Sequence, residues 1–463
     1  MHYLWLSILL LTGYASVAQS MISRLQDAVK MLEADGQLKH GILSIYVADS
    51  KTGKSVYAKN AEIGLAPASC QKVITSVAAF ELLGTNYRYQ TELSYDGSIE
   101  NGILKGNLHL TGSGDPSFGS WRYASTKEDL ILQQIVNQVK KAGIRKIQGQ
   151  LLTANGKWGS ETIPDGWIWQ DIGNYYGAGS SSLNWRENQY DLILKSGNIG
   201  DTCAIVSARP KLWMAELRSE VTAAAKGSGD NAFIYLPPYA TAGFVRGTIP
   251  SGESAFLISG SFPNSAVQLK LTIEETLQRS GVSIEKQGST LSSSNGARLT
   301  TLMYKFGSPP LDSINYWFLN KSVNLYGEAL IKTMAVEKSG SGKTEKGLEI
   351  VNDFWSQRGI EKSAIHIVDG SGLSPQNRVT TTALVNVMLY ARSRPWFTSF
   401  YNALPLINGI KMKSGSIGGS RSYTGYIKSA GGSEYSFAII INNYNGSASE
   451  IVRKIWKLLD VMK

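Results

Sequence analysis

The hydrophobic period of the chain changes twice, and this pattern restricts the available folds more than any other feature. Apolar residues recur at helical spacing from Met21 to Ala34, then alternate through a hairpin, Ile42 to Ala48 and Ser55 to Ala58, around a turn at Asp49 to Gly53. Ala66 to Ser69 reads as a loop, and Ser69 to Leu83 as an apolar helix. Alternating strands take over from Tyr89 to Thr111, broken by the type I′ turn signal Asn101-Gly102. A helix over Lys127 to Ala142 and a strand from Ile147 to Ala154 follow. Asn184 to Gly260 holds short strand-like runs with Pro210, Pro237 and Pro238, and a helix over Ser265 to Ser280 closes the middle of the chain.

Beyond Arg298 the texture turns helical, at Leu311 to Asn320, Asn324 to Val336, Glu345 to Arg358 and Thr381 to Ala391. Strands return at Lys411 to Lys413, Thr424 to Ala430 and Ser436 to Ile441, before a terminal helix over Ser449 to Met462. A helix and hairpin at one end and hairpins and a helix at the other can close into one α/β domain carrying an insertion of roughly 200 residues. The polar, serine-rich run Gln287 to Asn295 is where the chain is expected to leave that insertion.

A length of 463 residues fits two or three domains, and 43% hydrophobic against 18% charged residues excludes a disordered or fibrous chain. The formal net charge of +10 suits nucleic acid, anionic envelope polymers or acidic substrates without choosing among them. The first eighteen residues read as a signal peptide. Leu4 to Leu11 is apolar and too short to span a bilayer, and Ser16-Val17-Ala18 offers a cleavage site before Gln19, although the preceding residues hold no Lys or Arg. The protein is therefore expected to be exported and soluble in an extracytoplasmic compartment, with at most peripheral membrane contact. His2, His40, His109 and His366 lack metal-ligand spacing, so neither a metal nor a cofactor is expected. Cys70 and Cys203 fall in different expected domains and should stay unpaired. Since none of the histidines lies in a segment resembling an active-site turn, a hydrolytic serine here would need a lysine base.

Three short motifs carry the chemistry. Ser69-Cys70-Gln71-Lys72 places a hydroxyl and an amine three residues apart, on one face of a helix, where the amine can take the serine proton. Ser283-Ile284-Glu285-Lys286 has the same form, but only Ser69 follows a proline at a helix start, where free N–H groups can stabilise an oxyanion. Ser322-Val323-Asn324 lies at a break between two helices, where its Ser can relay a proton and its Asn amide can bond a carbonyl. Taken alone it reads equally as a helix N-cap, and Ser182, Ser196, Ser293 and Ser313 begin similar triplets. Lys413-Ser414-Gly415-Ser416 lies on a strand before a hairpin, where Lys and a hydroxyl can hold a carboxylate and Gly permits close backbone approach. The matching runs at Lys51, Lys195 and Lys338 read as turns.

The order S-x-x-K, S-x-N, K-S-G is the signature of penicillin-binding proteins and serine β-lactamases. With the flanks Gly112-Ser113-Gly114-Asp115-Pro116-Ser117, Gly166-Trp167-Ile168-Trp169-Gln170-Asp171, Tyr176-Gly177-Ala178 and Asp369-Gly370-Ser371-Gly372-Leu373-Ser374, the chain resembles the DacB-type D-alanyl-D-alanine carboxypeptidase/endopeptidases, class C low-molecular-mass penicillin-binding proteins. The roughly 250 residues between Ser69 and Ser322 suit that family, in which the interval holds two inserted domains. The resemblance implies an α/β fold: a penicillin-binding-protein or serine β-lactamase-like transpeptidase domain, an antiparallel sheet flanked by helices, with one mixed and one mostly β insertion. It implies a catalytic domain split over 19–88 and 298–463, a mixed domain over 89–180 and 261–297, and a mostly β domain over 181–260.

It also implies that Ser69 attacks the carbonyl between two D-Ala residues of a peptidoglycan stem peptide while Lys72 takes its proton. Ser322 and Asn324 would complete the proton path, and Lys413 and Ser414 would engage the substrate carboxylate. The N–H groups of Ser69 and Ser416 would form the oxyanion hole beside Gly415. Lys413 would also help to keep Lys72 neutral. Stem peptides and covalently bound β-lactams are the implied partners, and nucleic acid is not. A β-lactamase or transpeptidase of the same fold, and a non-catalytic cell-wall-binding protein, are the alternatives. Ser414 stands where Thr is commoner, and Cys70, where a small polar residue is commoner, is expected to be a buried packing residue. Asp115 is expected to form a turn, and Asp369 to Gly372 to shape a loop under the catalytic cleft.

Overall fold

Seven apolar or small residues in a row, from Tyr435 to Ile441, can be buried only if a strand is covered on both faces. In a computed structural model describing residues 21–154, 156–286 and 299–463, that strand, Glu434–Asn442, is buried along nearly its whole length. The expected signal peptide at 1–18 and the expected linker at 287–295 lie outside the described residues. By contact density the chain divides into two units. The first comprises residues up to Glu81, Asn315–Ser322 and Val351–Lys463, and the second Leu82–Ile314 and Val323–Ile350.

The first unit is built on a six-stranded antiparallel sheet in the order Leu406–Ile407, Ile410–Ile417, Ser420–Lys428, Glu434–Asn442, Ile42–Asp49, Ser55–Lys59. Its register sets Leu43 opposite Ile441, Ile45 opposite Ile439 and Val47 opposite Phe437. These alternate residues, with Met412, Tyr423 and Ile427, make one apolar face. Helix 21–33 covers it with Leu25 and Val29, and helix Ala448–Asp460 with Ile451, Ile455 and Leu459. The opposite face carries small and polar residues, among them Ser44, Ser422, Thr424, Ser436 and Ala438, all buried. Helix Thr381–Arg392 lies on that face, where Thr381 Oγ1 meets Ser44 Oγ at 2.8 Å and Tyr426 donates its hydroxyl to Met388 O. Small side chains let backbone approach the sheet closely there, and the same face receives the short turn Ala68–Gln71.

Among the described residues the second unit contains two four-stranded and two three-stranded sheets. One runs Thr301–Gly307, Gln90–Tyr95, Leu108–Gly112, Leu151–Ala154; another runs Glu216–Ala224, Ala242–Pro250, Asn231–Tyr235. Helices Glu128–Lys141 and Ser265–Arg279 contribute Ile135, Val139, Leu269 and Ile273 to one hydrophobic cluster that also takes in Leu192, Val245 and Ile258. Segment 181–260, expected as a separate mostly β domain, therefore shares its core with the mixed α/β part. Strand Thr301–Gly307, counted above with the catalytic segment from 298 onward, instead pairs with Gln90–Tyr95. Its single buried side chain, Phe306, is too little apolar content to announce a strand. Helix Asn324–Ser339, counted with the same segment, also clusters with this unit, since twelve of its residues are buried there on every side. Helix Phe397–Ala403 was not anticipated either. Among the described residues no helix is long and apolar enough to cross a membrane.

Ile439 sits fully buried at the centre of the first sheet, paired with Ile45 and Tyr423. Ile439→Ala should lower the unfolding free energy by about 2–5 kcal/mol, through lost burial and a residual cavity, as read by denaturant titration.

Candidate active site

Pro67 and the next residue reverse the chain abruptly. Ala68 is fully buried with φ 45°, a left-handed conformation that costs a non-glycine residue about 1–3 kcal/mol. Three side chains of the sheet hold this turn. Ala66 N donates to Asn442 Oδ1 at 2.8 Å, Ser420 donates to Ala66 O at 2.7 Å, and the Ser422 hydroxyl donates to Pro67 O. None of the three was singled out in the sequence. For Ser420 and Ser422 the available signal was small polar residues at inward positions of the strand Ser420–Lys428, and Asn442 ends the neighbouring strand Glu434–Asn442.

Ser69 follows in the 3-10 turn Ala68–Gln71, and Lys72 opens the α-helix Lys72–Leu83, so the expected helix from Ser69 begins as a tighter turn. The hydroxyl is partly exposed, whereas Lys72 is fully buried. Lys72 Nζ donates to Ser69 Oγ at 2.8 Å and to Ser371 O at 2.7 Å, and lies 5.8 Å from the centre of the Phe318 ring. A reachable hydroxyl thus shares a hydrogen bond with an amine withdrawn from water, an arrangement able to move a proton from oxygen to nitrogen.

Lys413 lies on Ile410–Ile417, on the sheet face that meets this turn, and is 2% exposed. Burial pushes its amine down to about 8, and its Nζ donates to Ser414 O at 2.8 Å. A Cβ on Gly415 would stand 2.5 Å from Pro67 O and 2.9 Å from Ser69 N, so only glycine lets strand and turn come this close. Met412 N donates to Pro405 O beside the short edge strand. Strand alternation points the N–H groups of Ser414 and Ser416 to that same edge, and among the described residues no strand pairs with it beyond Met412. The edge can accept an extended peptide.

Ser322 belongs to the first unit and adopts φ 58°, beyond the helix Leu311–Asn320. It is not a helix cap: Val323 occupies that position, without a capping side-chain bond. Asn324 belongs to the second unit, where its Nδ2 donates to Tyr176 O at 2.8 Å. Tyr176 also bonds Asp171, whose carboxyl burial pushes up to about 6. The first unit thus brings together Ser69, Lys72, Lys413, Ser414, Gly415 and Ser416 and also contains Ser322, while Asn324 belongs to the other.

The triplet at Ser293 lies outside the described residues, and other matches serve structure. Ser196 donates to Pro250 O, Gly340 ends a helix with φ 74°, and Ser283 pairs in a short parallel ladder with Lys146. Asp115 is buried in the second unit and accepts from Ser117 N and Oγ at 2.8 and 2.6 Å, the turn expected of it.

Residues 25–460 match the D-Ala-D-Ala carboxypeptidase 3 (S13) family. The chain belongs to that family. This S13 peptidase is 24% identical to a D-alanyl-D-alanine carboxypeptidase of Actinomadura sp. (strain R39), over 94% of this chain and 84% of that protein. It is also 24% identical to D-alanyl-D-alanine carboxypeptidase DacB of Haemophilus influenzae, over 82% and 80%. Its fold matches that of penicillin-binding protein 4 (dacB) from Haemophilus influenzae with a TM-score of 0.80 at 22% identity, covering 94% of this chain and 98% of that one.

In this S13 peptidase Cys70 and Cys203 are both free and buried. Cys70 Sγ donates to Lys413 O at 3.2 Å, and burial pushes its thiol up to about 11. Iodoacetamide at pH 8 should therefore leave Cys70 unmodified in the native protein and alkylate it in denaturant, as read by peptide mass spectrometry.

Proposed function

We propose that this S13 peptidase is a serine D,D-peptidase of peptidoglycan, cleaving D-Ala-D-Ala termini as a carboxypeptidase and D-Ala-diamino-acid cross-links as an endopeptidase. The observation that carries the proposal is the buried Lys72 amine 2.8 Å from the partly exposed Ser69 hydroxyl. In acylation Ser69 Oγ bonds to the carbonyl carbon of the penultimate D-Ala while its proton passes to Lys72. The scissile C–N bond then breaks and the leaving amine takes that proton, with Ser322 and Asn324 assigned to its path. Water cleaves the resulting ester and frees Ser69.

The oxyanion is assigned to the N–H groups of Ser69 and Ser416, and the terminal carboxylate to Lys413 and the Ser414 hydroxyl. The open edge at Ser414 and Ser416 suits an extended stem peptide, and the close approach at Gly415 supports setting Ser69 N beside it. β-Lactams, which mimic D-Ala-D-Ala, should acylate the same hydroxyl. A Haemophilus influenzae penicillin-binding protein 4 structure with the same fold is complexed with a β-lactam. For location we propose export by the segment 1–18, to the periplasm or the cell wall, where a net charge of +10 would favour the anionic polymer.

Labelled penicillin should modify the wild type and leave Ser69→Ala unmodified. Labelling that persists in the variant would remove Ser69 from its role. Fast release of hydrolysed penicillin would instead favour a β-lactamase, and a failure to label the wild type a non-catalytic protein.

Lys413 also sets a pH dependence. Its lowered value leaves it cationic below about pH 8 and neutral above. Since kcat/KM reports the free enzyme, it should fall for a D-Ala-D-Ala carboxylate substrate as pH rises through about 8. The C-terminally amidated peptide, lacking that carboxylate, should not show this fall.

A further inference from the structure

Ser69 has a base, and the base in turn has a hydrogen-bond acceptor in the backbone: Lys72 Nζ lies 2.7 Å from Ser371 O. In a trans peptide the C=O of one residue and the N–H of the next belong to a single plane and point in opposite directions. The orientation of the Ser371 carbonyl is therefore the orientation of the Gly372 N–H. That N–H donates to Asp369 Oδ1 at 2.7 Å. The Asp369 carboxylate and the Lys72 amine thus stand at the two ends of one peptide group.

The rest of the loop is arranged around the same carboxylate. Asp369 is fully buried, and its Oδ2 accepts from Ser374 N at 2.7 Å, while its Oδ1 also accepts from Gln71 Nε2 and Asn377 Nδ2, each at 3.0 Å. With N–H groups gathered inward, successive carbonyls turn outward to the first turns of the helix: Asp369 O accepts from Gln71 Nε2 at 2.6 Å, Gly370 O from Thr75 Oγ1 at 2.7 Å, and Ser371 O from Lys72. Gly372 completes the bend with φ 81°, and a Cβ there would stand 2.0 Å from Ala68 O. The loop is therefore matched both to the base and to the strained residue before the nucleophile.

We propose that Asp369 is a positioning residue for acylation, acting on Lys72 through the Ser371–Gly372 peptide group. Its carboxylate holds and polarises that peptide, so that Lys72 keeps one N–H on Ser371 O while Nζ faces Ser69 Oγ. As the amine gains the serine proton, the same carbonyl dipole stabilises the new ammonium charge. The part played is that of a carboxylate orienting a base, with a peptide group interposed. It rests on the assignment of Ser69 and Lys72 to acylation.

The test is the acylation of full-length Asp369→Asn by labelled penicillin, with rate constant and non-covalent affinity separated by varying the penicillin concentration. An amide has one acceptor oxygen, so the variant cannot accept from both Gly372 N and Ser374 N as the carboxylate does. The acylation rate constant should fall about 10- to 100-fold, as for a small displacement of a catalytic group, with affinity changed less than about threefold. Thr75→Val, which loosens the neighbouring Gly370 carbonyl without touching this peptide, should acylate within about threefold of wild type. A folded Asp369→Asn acylating at the wild-type rate, or an equal loss in Thr75→Val, would overturn the proposal. Should Asp369→Asn not fold, the exchange Asp369→Asn with Asn377→Asp keeps one carboxylate facing one amide and carries the same expectation of slow acylation. A wild type that takes up no label would count against the Ser69 assignment itself.

Discussion

A lysine amine withdrawn from water cannot be left without hydrogen-bond partners, and that requirement organises the first unit of this protein around Ser69. Lys72 has no exposure, and its bonds include those to the Ser69 hydroxyl and the Ser371 carbonyl. The first partner is supplied by helical geometry alone, three residues away. The second arrives from almost three hundred residues along the chain, in a loop wrapped around the Asp369 carboxylate. In the proposed mechanism chemistry and packing make the same demand, because the group assigned to accept the serine proton is also a polar group that must be satisfied inside the protein.

The surrounding sheet is divided between two tasks. One face is apolar and carries the stability of the unit through Ile45, Phe437, Ile439 and Ile441. The other is lined by small hydroxyl residues, which cost packing but let the turn before Ser69 come within hydrogen-bond reach. Ser420, Ser422 and Asn442 clamp the carbonyls and amide of Ala66 and Pro67, and the strained φ of Ala68 persists because these bonds over-determine it. Gly415 removes the last obstacle between strand and turn. Lys413 is buried on the same face, and the cost of burying its charge appears as its lowered proton affinity.

Much of this was legible in the sequence where the signal was local. The hairpin around Asp49 to Gly53 and the helix Leu311–Asn320 declared themselves by period and the central strand by its unbroken apolar run, and the spacing of Ser69 to Lys72 follows from one helical turn. The motif order separated Ser69, Ser322 and Lys413 from their many look-alikes, which tripeptides alone could not do. Strand Thr301–Gly307 escaped because an edge strand with one buried side chain has no period to read. The clamp at Ser420, Ser422 and Asn442 escaped because a serine facing a carbonyl and a serine facing solvent are written alike. Asp369 was legible as a loop former, while the peptide it turns toward Lys72 was not.

By itself the sequence determined the short-range chemistry: which hydroxyl lies one turn from which amine, where the chain reverses, which strand must be covered on both faces. Those are consequences of backbone periodicity and side-chain type, which act over a few residues. Only the tertiary structure decided that Ser371 O caps Lys72, that Pro67 O is held by Ser422, and that helix Asn324–Ser339 belongs with the second unit although it begins two residues after Ser322. Each depends on the meeting of segments far apart in the chain, where a difference of 1 Å separates a hydrogen bond from none, and no local propensity encodes such a distance.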